Sequence, residues 1–173
     1  MGIQQFDCPR VQTGLEFLSK CGGLTRPRPL WREITGDTGM KDSLVEGLSV
    51  TRKFTVDKAR TIDFMGEDLR IYATPELIRD IEQTCRDLLV EHCDEGEDSV
   101  GTHVSVAHTA ATPMGMDVEI TATVAKVEGR LVTLEVVASD NLEECGKGKH
   151  TRFVVDMAKT GERLAAKVAK ANV

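Results

Sequence analysis

Three side chains in this sequence have the types and spacing to do chemistry: Thr74, Glu82 and His108, a hydroxyl, a carboxylate and an imidazole. Thr74 opens the segment TPELIRDIEQTCRDLLVEHC, Glu82 follows eight residues later, and His108 closes SVGTHVSVAH. A hydroxyl at a helix N-terminus lies beside backbone N–H groups and a partial positive charge, which suit a developing oxyanion. An imidazole and a carboxylate can transfer protons. Converging on one pocket, the three suit acyl transfer or hydrolysis. Each also has a plainer role. A Thr before Pro is a good N-cap, Glu82 at the border of an apolar arc can reach water, and His108 can be a packed core histidine. Gly101 interrupts the same strand, either as a bulge or where a ligand approaches the backbone.

A helix and a strand must position these groups. Leu77, Ile78, Ile81, Cys85, Leu88 and Leu89 recur at helical spacing and predict one apolar arc. Arg79, Asp80, Gln83, Arg86 and Asp87 fall on the opposite side, expected to face solvent. Across 99–109, period-two alternation puts Val100, Thr102, Val104, Val106 and His108 on one face. A first strand is expected within LSVTRKFTVD, from about residue 48. Further strands are expected near 116–127, 130–139 and 147–157, with a tight hairpin at Glu128-Gly129-Arg130 and a short basic helix at the end. Strand, long helix, then four antiparallel strands is a segregated α+β order. One long helix wrapped by a curved antiparallel sheet is the hotdog fold. Its exposed edge predicts pairing with a second copy, so a homodimer is expected.

Composition narrows the function. The 173 residues are 40% apolar and 29% charged, with a net charge of −6. That balance and the lack of a Lys/Arg cluster argue against nucleic acid. No apolar run is long enough to span a bilayer, and no secretory signal is expected at the N-terminus. Five cysteines, with no C-x-x-C pair, point to a reduced, cytoplasmic setting. Cys85, His92 and Cys93 match no standard zinc spacing, so no metal is expected. Residues 1–39 carry five basic and four acidic side chains, with Cys-Gly-Gly and Arg-Pro-Arg-Pro, and read as an extension before a domain spanning 40–173.

The segments ATPELIRDIEQTC, EGEDSVGTHVSVAHTAATPMGMDVEITATVAKVEGR and GKGKHTRFVV resemble the hotdog-fold thioesterases typified by fluoroacetyl-CoA thioesterase. The resemblance runs from about residue 46 to 157, and His-Thr-Ala-Ala-Thr-Pro at 108–113 is its most specific part. It implies hydrolysis of an acyl-CoA to a free acid and CoA, without a cofactor. It assigns the family's catalytic Thr, Glu and His to Thr74, Glu82 and His108. It also assigns a glycine near the thioester to Gly101 and a final-strand arginine to Arg152. The connector 58–73 is shorter than the family's and lacks its phenylalanine lid. Phe64, Met65 and Tyr72 are its large apolar residues, with Phe64 and Met65 the expected acyl contacts. The general reaction is therefore expected rather than fluoroacetate as the substrate. A non-catalytic acyl-CoA-binding hotdog, acting as a sensor or assembly subunit, is the alternative that the extension motivates.

Overall fold

The computed structural model describes residues 40–171, which belong to one compact unit. The expected extension at 1–39 lies outside the described residues. Five strands form one antiparallel sheet: β1 (Ser49–Thr55), β4 (Glu97–His108), β5 (Asp117–Glu128), β6 (Leu131–Asp140) and β7 (Glu144–Asp156). Their order is β1-β5-β6-β7-β4, so β1 and β4 are the edges. The β5–β6 hairpin turns at Gly129, whose φ of 57° lies in the left-handed region that glycine adopts without strain. The connector forms a small hairpin absent from the sequence reading, β2 (Thr61–Ile62) with β3 (Ile71–Tyr72).

The central helix α1 runs Thr74–Val90. Leu77, Ile81, Cys85, Leu88 and Leu89 are buried, as the arc predicts. They pack with Val118, Ile120, Ala122 and Val124 of β5 and Val132, Leu134, Val136 and Ala138 of β6. Each such large aliphatic side chain contributes about 1.5–3 kcal/mol on burial. Two expectations on this helix fail. The N-cap is Ala73, and no side chain caps the helix. Thr74 is already the first helical residue, so its hydroxyl is free for another partner. Asp80 is buried, with 4% of its surface accessible, because neighbours outside the helix satisfy its carboxylate. The second helix, α2 (Met157–Ala171), is longer than the short basic helix expected at this end and buries no residue. Among the described residues, no helix is long and apolar enough to cross a membrane.

Strand β4 departs from simple alternation. Gly101 pairs with Arg152 and His103 with Thr151, so a bulge inserts Thr102 between them. An inserted residue flips the side-chain parity. Ser99 and Gly101 therefore share a face with Val104, Val106 and His108, while Val100 and Thr102 do not. Val100 pairs with Phe153 on the other face and is 42% exposed. The shared face looks onto α1. A Cβ on Gly146, the partner of His108, would lie 3.0 Å from Leu77 Cδ2.

Candidate active site

Two groups of side chains meet where β4 and β7 face α1. The first joins the helix start to the end of β4. Thr74 Oγ1 lies 2.9 Å from His108 Nδ1. The Tyr72 ring stands edge-on to the imidazole, with centroids 6.1 Å apart and planes at 75°. His108 Nε2 is shielded from solvent and has no hydrogen-bond partner among the described residues. A protonated imidazole would leave that N–H cation unmatched. Burial accordingly pushes the His108 pKa below the ordinary histidine value, although the Ala110 backbone opposes the shift. A neutral imidazole beside a hydroxyl is a pairing that can make a threonine oxygen nucleophilic.

The second group surrounds Arg152, which is 2% exposed. Its Nε donates to Ser99 Oγ at 2.9 Å and its Nη2 to the Ser99 carbonyl at 2.6 Å. Its Nη1 donates to Glu82 Oε1 at 3.2 Å and to His150 Nε2 at 3.0 Å. An arginine can only donate and a carbonyl can only accept. His150 must therefore be neutral, with Nδ1–H donating to the His103 carbonyl at 2.9 Å. Burial, which lowers the His150 pKa, favours the same state. Gly101 closes this group from β4. A Cβ there would fall 2.9 Å from Glu82 Oε1 and 3.1 Å from His150 Cε1. The bulge reading of the glycine holds, and the close approach that the structure shows at Gly101 is that of Glu82 and His150.

The five residues that the resemblance singled out therefore divide in two. Thr74 meets His108, and Glu82 meets Arg152 beneath Gly101. Along α1, Thr74 and Glu82 are about 12 Å apart at 1.5 Å per residue. Along β4, Gly101 and His108 are about 23 Å apart at 3.3 Å per residue. Phe64 and Met65 occupy the β2–β3 hairpin, 71% and 56% exposed and outside the hydrophobic core. Lys147 and Lys149 pair with Glu144 and Glu135 at the surface. Among the described residues, no group of His, Cys, Asp and Glu is arranged to hold a metal ion. Cys85, Cys93 and Cys145 are free, buried thiols. The sequence reading gave no role to Ser99, Tyr72, Asp80 or His150. The available signal for His150 was its period-two spacing from Arg152, which puts both on the face toward α1.

A central helix under an antiparallel sheet, with a Thr–His pair at the helix start, defines a hotdog-fold protein of the thioesterase class. A hot-dog-like protein from Thermanaerovibrio acidaminovorans superposes with a TM-score of 0.65 and 26% identity, covering 70% of this chain and 91% of that one. The chain belongs to the fluoroacetyl-CoA-specific thioesterase family, whose profile matches residues 56–158. It is 33% identical over 135 residues to the fluoroacetyl-CoA thioesterase of Streptantibioticus cattleyicolor, covering 74% of this chain and 97% of that protein. A solved structure of a fluoroacetyl-CoA thioesterase superposes with a TM-score of 0.67 at 32% identity, covering 73% of this chain and 98% of that one.

Proposed function

We propose that the protein hydrolyses an acyl-CoA thioester to a free acid and CoA, using Thr74, His108 and Glu82. The observation that carries this reading is the 2.9 Å contact between Thr74 Oγ1 and a neutral, half-buried imidazole. His108 Nδ1 takes the hydroxyl proton as Thr74 Oγ1 attacks the thioester carbon. Backbone N–H groups at the start of α1 stabilise the oxyanion. The C–S bond breaks, CoA leaves as a thiol after taking a proton, and an acyl-threonine remains. Water then attacks this ester as His108 accepts its proton, the acyl C–O bond breaks, Thr74 Oγ1 takes the proton back from His108, and the acid is released. Glu82 orients that water, and Gly101 and Arg152 shape the acyl pocket. Phe64 and Met65 reach the acyl group from the β2–β3 hairpin. The setting is a reducing cytoplasm, in keeping with the free buried thiols.

The reading includes a homodimer formed through β4, an edge strand with Val100 and Val104 exposed. Pairing two antiparallel copies of β4 reverses one against the other. The Gly101 end of one strand then runs beside the His108 end of its partner, so each chain supplies half of each site. Two measurements test these statements. Purified protein is assayed with a panel of acyl-CoAs and a thiol reagent; the reading predicts turnover of at least one, and none with His108→Ala. Inactive His108→Ala and Glu82→Gln proteins are then mixed and allowed to exchange subunits. With sites built from two chains, half the dimers are mixed and each has one intact site, so about one quarter of wild-type activity returns. No recovery after demonstrated exchange would place each site within one chain.

A further inference from the structure

Asp80 is a buried carboxylate that the reaction above does not use. It lies six residues into α1 from Thr74, and its carboxylate makes three contacts with two residues outside the helix. The Tyr72 hydroxyl donates to Oδ2 at 2.6 Å, Arg60 Nε donates to Oδ2 at 2.9 Å, and Arg60 Nη2 approaches Oδ1 at 3.5 Å. Arg60 is held in turn by Asp57 at 2.8 Å. Burying a carboxylate costs several kcal/mol unless it is paired, and a phenylalanine at 72 would pack without needing one. The arrangement makes sense for a ring that must be held in one place. Tyr72 is 1% exposed, and its ring packs against His108 nearly at right angles, with centroids 6.1 Å apart.

The backbone supports the same function. Tyr72 N–H donates to the Thr112 carbonyl at 2.8 Å, four residues beyond His108, and Ala73 N–H donates to the Arg60 carbonyl at 2.9 Å. Tyr72 therefore links the connector hairpin, the helix start that carries Thr74, and the loop that follows His108. We propose that Tyr72, anchored through Asp80 and Arg60, is a positioning residue that sets the orientation of His108 toward Thr74 and keeps water from the imidazole. The proposal rests on the catalytic reading of His108 and adds a residue to it. Besides Thr74, the titratable groups packed around this corner are the Tyr72 phenol, turned away toward Asp80, and the Cys145 thiol on β7, which interacts with Tyr72. Burial raises both pKa values, so both stay neutral near pH 7. Asp80 and Arg60 lie behind the ring and offset each other's charge.

The test uses Tyr72→Leu, Tyr72→Phe and Asp80→Asn in the full chain. The His108 imidazole is followed by NMR titration, alongside kcat and KM for the best acyl-CoA of the panel. Tyr72→Leu admits water and frees the ring, so the His108 midpoint rises toward the ordinary histidine value. Its kcat falls by about 10- to 100-fold with KM changed less than about threefold, since small misplacements of a reacting group act on kcat. Tyr72→Phe keeps the ring but loses its anchor, and loses about three- to tenfold in kcat. Asp80→Asn can still accept the phenol proton and falls between wild type and Tyr72→Phe. If Tyr72→Leu does not fold, the order of the other two variants decides. An unmoved His108 midpoint with unchanged kcat in the folded variants would make Tyr72 ordinary core packing. A shifted midpoint in a protein that hydrolyses no thioester would retain the positioning role and overturn the catalytic reading instead.

Discussion

Substituting Gly101→Ala tests whether the β4 bulge exists to let Glu82 reach Arg152. The new Cβ would lie 2.9 Å from Glu82 Oε1, at least about half an ångström short of ordinary van der Waals contact, and 3.1 Å from His150 Cε1. One of these neighbours must yield. His150 is 4% exposed and held at both nitrogens, at 2.9 and 3.0 Å, so it has little room to move. The Glu82 side chain is 51% exposed and swings outward, breaking its 3.2 Å contact with Arg152. Losing that contact costs about 1 kcal/mol, because water takes up the released carboxylate. The tight fit against His150 adds about 1 kcal/mol. Restricting the unfolded chain by replacing glycine offsets about 0.4–1 kcal/mol. The net loss is about 1 kcal/mol, a fall in Tm of roughly 4 °C for a domain of this size. Activity falls about as far as in Glu82→Ala, at least tenfold. The decisive assay is the double-mutant cycle. With Glu82 truncated, Gly101→Ala has no carboxylate to displace, so the two losses should fail to add, both in Tm and in turnover. An additive cycle, or a fully active Gly101→Ala, would refute the account of the bulge.

Thr74→Ala should abolish most turnover while costing less than about 1 kcal/mol in a denaturant melt, because no cap bond is lost; Thr74→Ser should keep much of the activity. Arg152→Ala removes the donors to the Ser99 carbonyl and hydroxyl and to His150, and should cost about 3–5 kcal/mol by the same melt. His108 and His150 both have pKa values lowered by burial in the folded chain. Above the ordinary histidine value of about 6.5 they contribute no pH dependence. As pH falls below it, the unfolded chain binds the protons first, so urea midpoints should drop steadily until the lower folded values are passed. The acid limb of kcat/KM should likewise fall below about pH 6.5, since the neutral base survives to lower pH.

The α+β order, the buried arc of α1, the inward faces of β5 and β6 and the β5–β6 turn were legible in the sequence. Each follows from a local period or from one turn residue. The spacing of Thr74, Glu82 and His108 was legible as well, because the resemblance is one of linear separation. The sequence did not yield the two flaws in periodicity that shape the site. A bulge is fixed by pairing with another strand, so the register of β7 against β4, and not the string SVGTHVSV, decides that Gly101 and His108 share a face. Asp80 falls on the polar side of a helical wheel, yet it is buried because Tyr72 and Arg60, from the connector that precedes the helix, fold back onto it. Thr74 looked like a cap until His108, thirty-four residues away, became its partner. Residue types and spacing thus determined which groups are available for chemistry. Tertiary structure alone decided how they divide, with Thr74 on His108 and Glu82 on Arg152, because pairing depends on distances between elements that no local pattern encodes.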